Sequence, residues 1–247
     1  MPSKYPGFFL AALCCLLLVA TPAMAGNKRI MSVKAAKVMA ERALVESVYG
    51  LKLRAEERVE DMVSASFIGN TESKTAAQIK GIVFEEVVYD ANQDIAQVTA
   101  SVKMPSITNI DGQTVNLGNK VFRRVGFATS TPKAAGPLKA LRAAELDAYK
   151  ELIKQLVGFE LESHTTVENF MLTSDLVKTK VMATLFMAEL TEYGWTPEGD
   201  AYVKMQLNLK EASEVLGQNI ITDREIIDVE GQGAQVDDFT AANGKKR

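Results

Sequence analysis

His164 is the only imidazole in the 247-residue chain, so acid–base chemistry near neutral pH has a single natural candidate. Ser163 stands beside it, and Ser174-Asp175 follows, so a nucleophile–His–acid set can be drawn. Such sets are defined by mutual geometry rather than by residue type, and the simpler reading is an exposed polar residue on a strand over 159–166. One histidine also rules out a His-based metal cluster. The carboxylate pairs Glu56-Glu57 and Glu85-Glu86 are adjacent on expected strands, where neighbours face opposite sides and do not converge on one ion or substrate. Asp237-Asp238 falls in an expected tail. Gly231-Gln232-Gly233 lacks the third glycine and the strand–loop–helix context of a phosphate loop. Arg123-Arg124 and Lys245-Lys246-Arg247 are short basic clusters. Alone they hold a lipid headgroup or peptidoglycan acid only weakly. No catalytic, cofactor-binding or metal site is expected, and the chain reads as a non-enzyme.

Tyr193, Trp195 and Tyr202 gather around the turn-rich segment 196–200, with Phe186 before it. Trp and Tyr dominate protein–protein hot spots, so these three are candidate partner contacts. The competing reading is a small aromatic core that closes a hairpin.

The amino terminus has the layout of a secretory signal peptide. Lys4 precedes an apolar run from Phe8 to Ala20, and small residues at Ala23 and Ala25 place cleavage between Ala25 and Gly26. The run is short for a membrane span. Both cysteines, Cys14 and Cys15, lie inside it. The mature chain is therefore expected to have no thiol for a disulfide, a nucleophile or a metal. Leu13 precedes Cys14, not the small residue that lipidation requires. The expected product is exported, and periplasmic or outer-membrane-associated. With Lys+Arg 28 against Asp+Glu 31, net charge −3, nothing marks a nucleic-acid binder.

The elements that would position these residues follow from an internal repeat. A shift of 108 aligns 33–62 with 141–170, matching Ala36 with Ala144, Ala40 with Ala148, Leu44 with Leu152 and Gly50 with Gly158. Each copy opens with an amphipathic helix. Val33, Ala36, Ala40, Leu44 and Val48 form one stripe, and Leu141, Ala144, Ala148, Leu152 and Leu156 the other. Gly50 and Gly158 stand where a left-handed C-cap belongs. Pro137 suits the helix start. The alternation then shortens to two over 51–55 and 159–162, which predicts half-buried strands. A short helix is expected in 73–78 and 174–180, and strands over 79–90, 95–103, 181–193 and 200–209. The fold class is α+β, a tandem duplication of an α-β-α-β-β unit with a helix on a small antiparallel sheet. The units are 26–104 and 137–210. They are joined by a hairpin and linker over 105–136, with a turn at 109–113, and followed by an acidic tail over 211–247 in which 220–229 is a possible added strand.

The run Arg142, Ala143, Ala144, Glu145, Leu146, Asp147, Ala148, Tyr149, then Leu152 and Gly158, resembles the opening motif of the LPP-twenty lipoprotein family of Gram-negative bacteria. Thr166-Val167 and Ser174-Asp175 are similar to its continuation. The family includes surface lipoproteins and a flagellar outer-membrane-associated lipoprotein, and a flagellar ring protein's amino-terminal domain has a similar organisation. The resemblance covers about 137–210 well and 28–104 more weakly. It implies packing roles: Arg142, Ala143, Ala144, Asp147, Ala148, Tyr149 and Gly158 would build the helix–sheet contact. It also implies an assembly protein that self-associates or binds other envelope proteins, plausibly in a flagellum- or outer-membrane-associated complex. A periplasmic module for a small molecule or lipid is the alternative, and a hydrolase using His164 the more remote one.

Overall fold

The computed structural model describes residues 23–50, 79–108, 112 and 114–234. Residues 1–22 of the expected signal peptide, with both cysteines, the strand at 51–55, the polar stretch 73–78, Glu56-Glu57 and the tail from 235 onward lie outside the described residues. The expected cleavage point falls within the first turns of helix α1, Ala23–Gly50.

The fold is α+β. Helix α1 lies on a three-stranded antiparallel sheet of β1 (Val83–Asp90), β2 (Ile95–Thr108) and β3 (Thr114–Thr129), in the order β1-β2-β3. A 3-10 turn, Pro132–Ala134, leads into helix α2, Ala135–Val157. Helix α2 lies on a second antiparallel sheet, of β5 (Glu189–Trp195), β6 (Ala201–Asn208) and β8 (Ile226–Gly233), in the order β5-β6-β8. A two-stranded ribbon joins β4 (Glu160–Leu161) to β7 (Ile220–Ile221). Three short helices complete the second half. In α3 (Val167–Met171), α4 (Asp175–Leu185) and α5 (Leu209–Leu216), the first backbone amides are capped by Thr166, Ser174 and Asn208, side-chain oxygens that replace the missing intrahelical acceptors.

The two helix–sheet contacts have the same construction. Each apolar stripe carries two alanines one turn apart, and each faces a glycine on the third strand, directly across from a valine of the middle strand: Gly126 pairs with Val98 and Gly231 with Val203. A methyl group on Gly126 would stand 2.5 Å from the Ala36 carbonyl oxygen and 2.7 Å from the Ala40 Cα, and one on Gly231 would stand 2.8 Å from the Ala148 Cα. Those distances are below any real carbon contact, so helix backbone meets strand backbone directly. Ala36, Ala40, Ala144 and Ala148 are all fully buried. Glycine inside a strand usually marks such an approach.

Several expectations change here. The segment 105–136 is not a connection between units: 105–108 ends β2, and 114–129 is β3, the strand that α1 packs on. The segment 220–229 likewise overlaps β8, an integral strand of the second sheet, and 211–216 belongs to helix α5 rather than to a tail. The region 181–185 is helical, not a strand: with Ser174 capping the start, Val177, Val181, Met182 and Leu185 recur at helical spacing and are buried. The helix is therefore longer than the expected 174–180. The strand at 159–166 contracts to Glu160–Leu161 because the chain turns back, with His164 N–H donating to Leu161 O at 2.8 Å. Gly158 is right-handed, φ −77°, and closes α2 without a left-handed cap.

Gly126→Ala and Gly231→Ala are each expected to destabilise the chain by about 1–3 kcal/mol or more, the range for forcing a methyl into a packed contact. Gly158→Ala, where the new methyl meets nothing closer than 3.6 Å, should be neutral or slightly stabilising. Denaturant unfolding of the three variants measures the contrast.

Candidate functional site

The two halves share one core, and the seam between them is built from β3 on one side and β5 with α2 on the other. Its centre is Arg124, 3% exposed. Counting back two residues from each strand glycine gives Arg124 in β3 and Val229 in β8, both on the helix-facing side. A guanidinium thus stands where the other sheet has a valine. Its Nε donates to Ser47 Oγ of α1 at 2.8 Å, and Nη1 donates to Arg123 O at 2.6 Å and Ala188 O at 3.4 Å. Its remaining nitrogen, Nη2, is buried with no hydrogen-bond acceptor. The cation lies 5.5 Å from the Tyr149 ring and 5.3 Å from the Phe186 ring, close enough for the ring quadrupoles to offset part of its desolvation. Burial pushes the Tyr149 hydroxyl up to about 12, against the opposing pull of Arg124. The phenol therefore stays neutral.

Around this centre the seam is polar. Arg123 reaches both Glu85 of β1 at 3.0 Å and Glu189 of β5 at 2.5 Å. Lys120 reaches Glu214 of α5 at 2.7 Å. A cleft of about 460 Å³ opens between β3 and β5, lined by Glu86, Arg123, Arg124, Glu145, Glu189 and Glu192 among others. Carboxylates outnumber cations there, so despite the unpartnered Nη2 it is not an anion site. Glu85 and Glu86 do not divide cleanly between the two faces, as strict alternation predicts. A bulge between Phe84 and Glu86 interrupts the pairing, so Glu85 bonds Arg123 while Glu86 lines the same cleft.

A second polar centre joins the ends of the first half. Asp94 is 7% exposed and sits in the left-handed region at φ 53°. Its carboxylate accepts from Ser32 Oγ at 2.8 Å, Tyr89 Oη at 3.0 Å, and Ser130 Oγ and Thr131 Oγ1 at 2.6 Å each. These four hydroxyls come from α1, β1 and the linker to α2. Burial works to raise the Asp94 pKa, but the hydrogen bonds outweigh it and hold the carboxyl well below the usual carboxylate range.

The aromatic trio is partly drawn into the seam. Tyr193 meets Phe127 of β3 edge-on, with centroids 4.5 Å apart, and donates to Gln97 Oε1 at 2.7 Å. Trp195 stands perpendicular to Tyr193 and donates from Nε1 to Pro137 O at 3.1 Å. Both are half-buried, and they read as an internal strut between the sheets rather than a free tip. Tyr202 is separate: it lies across Gly194, donates to Glu192 Oε1 at 3.0 Å and holds Lys204 5.7 Å from its ring centroid.

The motif residues of α2 divide by role. Ala144, Ala148 and Tyr149 are buried, and Ala143 is exposed but abuts Gly233. Asp147 Oδ2 accepts from the Gln232 amide of β8 at 3.1 Å, and Arg142 pairs with Glu145 at 2.5 Å. Gly231-Gln232-Gly233, empty of meaning as a phosphate loop, is the strand that α2 rides on. An alternating glycine set against an Ala-x-x-x-Ala stripe was the signal that identifies it.

His164 lies in an exposed turn at φ 58°, with a side chain 84% exposed and its Nδ1 3.4 Å from Glu160 Oε1. Ser174 Oγ is occupied as a helix cap, accepting from the Val177 amide at 3.3 Å. Neither is brought to the other. Among the described residues no group of three or more His, Cys, Asp or Glu side chains could hold a metal ion, and no helix is long and apolar enough to cross a membrane. Comparison with protein-family models, curated proteins and solved structures returns no match.

Two surface features remain. The first is β1, an edge strand whose outer side is unpaired among the described residues. Val83, Val87 and Val88 are 56%, 45% and 43% exposed. Val87 and Val88 are neighbours and point to opposite faces, so each face of this strand carries an exposed valine, while Phe84 and Tyr89 are half-buried against the core. The second is an apolar groove of about 640 Å³ between α1 and α2, floored by β3.

Asp94→Asn preserves the shape and tolerates the left-handed backbone, but weakens four charge-assisted bonds. A loss of about 1–3 kcal/mol at pH 7 is expected. Because the folded carboxyl ionises below its unfolded value of about 3.9, the parent chain loses this contribution as pH falls below about 4, whereas the variant should not. Urea unfolding at pH 7 and pH 3 tests it: the gap between the two proteins should narrow in acid.

Proposed function

We propose that this chain is a non-enzymatic protein of the cell envelope that works by protein–protein association. On this reading it is exported, and it carries two tandem copies of a domain like that of the LPP-twenty lipoproteins. It is periplasmic or associated with the outer membrane, and a flagellum-associated complex is one setting that the resemblance suggests. The matching glycine–alanine contacts of α1 with β3 and of α2 with β8 support the duplication.

The observation that carries the association reading is β1. An edge strand presents a row of unpaired amides and carbonyls, and natural proteins ordinarily blunt such edges with charge, proline or a covering element. Here an eight-residue strand exposes three valines, two of them on opposite faces, beside the carboxylates of Glu85, Glu86 and Asp90, of which Glu85 is already paired with Arg123. Another strand laid against it would satisfy the backbone and cover Val87 and Val88 together. An isologous pairing of β1 with β1 makes a closed dimer, and pairing with a different edge makes a ring or stacked array.

Native mass by light scattering over a concentration series tests this. A discrete oligomer is expected for the parent chain, and Val87→Lys/Val88→Lys, which places charges on both faces of the edge, should shift it to monomer. A parent chain that stays monomeric at every concentration, or an oligomer that the double variant leaves intact, overturns association through β1.

A further inference from the structure

Helix α1 has a second patterned face, and we propose that this face binds the surface of an anionic lipid membrane. Ala36 and Ala40 turn one side of the helix onto β3. On the side turned away from them, helical spacing brings Lys28, Met31, Lys34 and Val38 into one exposed stripe, in which cation and apolar side chain alternate. Met31 is 57% exposed and Val38 60%, and Ile30 and Met39 on the flanks are exposed as well. Four large exposed apolar side chains are more than any other described element carries. Single exposed apolar residues are ordinary on a protein surface. A group of them on one helix, rimmed by charge, marks a contact site.

The charge on this stretch of helix identifies the partner. From Lys28 to Val38 the chain has four cations and no carboxylate, although its total charge is −3. Lys28 and Lys34 make no ion pair or hydrogen bond. Arg29 and Lys37 stand over the rings of Tyr89 and Phe84, at 5.9 and 5.0 Å, contacts that steady the side chains and leave their charge in place. A layer of lipid phosphates meets such a row favourably, with a contribution from each Lys or Arg close to it. Basic residues alone would hold weakly; here Met31 and Val38 reach between the headgroups and supply the second contribution. Lysine suits such a stripe, because its methylene stem lies along apolar surface while the ammonium stays in water. A helix carrying these cations cannot enter the hydrocarbon core, so α1 lies along the interface. A nucleic acid would meet the cations and leave Met31 and Val38 in water. This face is separate from the edge of β1, so lipid binding and association can each fail without the other.

The test takes residues 26–247, without the apolar run of the amino terminus, and sediments them with two kinds of vesicle. One is phosphatidylcholine with about 30% phosphatidylglycerol, and the other is phosphatidylcholine alone; binding to the first should be at least about tenfold tighter. Salt at about 0.5 M should release most of the bound protein, because screening then acts within a few ångströms. Lys28→Glu/Lys34→Glu should weaken binding at least about tenfold. Met31→Ser/Val38→Ser, at exposed positions that leave the core intact, should weaken it several-fold. Absence of binding to the anionic vesicles overturns the proposal, and so does equal binding to the neutral ones. Affinity that Lys28→Glu/Lys34→Glu leaves unchanged places the contact elsewhere on the chain and overturns it too. Affinity that Met31→Ser/Val38→Ser leaves unchanged marks a purely ionic surface open to any polyanion, and overturns the assignment to lipid.

Discussion

The arrangement depends on how closely a helix can approach a strand. In both halves the helix backbone rests on the strand backbone, with alanine methyls on one side and a bare glycine on the other. This contact sets the distance between layers, and everything else fits that distance. The valines beside the glycines, Val98 and Val203, then pack fully buried beneath the helices. The seam side chains also reach across at hydrogen-bond length. A larger residue at either glycine would lift the helix and open the layer, because a packed interior cannot absorb even one extra methylene without strain.

With the layers fixed, polar groups join the halves alongside the apolar core that they share. Arg124 spans α1, β3 and the start of β5, and Arg123 ties β1 to β5. Removing an acceptor from the buried Arg124 is costly, since it leaves a charged donor unsatisfied in a low-dielectric interior. Such groups define the docking geometry of the halves, whereas the glycine contacts define each half by itself. Asp94 plays a comparable part where α1, the β1–β2 turn and the linker meet.

The helices were legible in the sequence because the spacing of Ala36, Ala40 and Leu44, and of Ala144, Ala148 and Leu152, has one structural solution. The short apolar run 181–186 was not, because a buried helix turn and a buried strand share the same composition over so few residues. The cap at Ser174 decides it. Strands β3 and β8 were obscured for a different reason: Arg123-Arg124 and Gly231-Gln232-Gly233 look like surface and loop until the helix above them is placed. The seam was out of reach of local pattern altogether, since Tyr193 finds Gln97 and Arg124 finds Ser47 only after folding. The groove and the uncovered edge of β1 are likewise properties of packing.

Two nearly interchangeable cradles in one chain create a choice of dock during folding. Helix α1 could settle on β8, or α2 on β3, with the same alanines meeting the same kind of glycine, the sort of misassembly to which repetitive proteins are prone. The guanidinium of Arg124 marks one of the two cradles, because only β3 carries a cation beneath its helix. Under α1 it finds Ser47, whereas in the repeat alignment α2 has Gln155 at that position, and Ser47 carried onto β8 would face Val229. The residue that interrupts the likeness between the sheets is thus also one that ties α1 to the sheet beneath it.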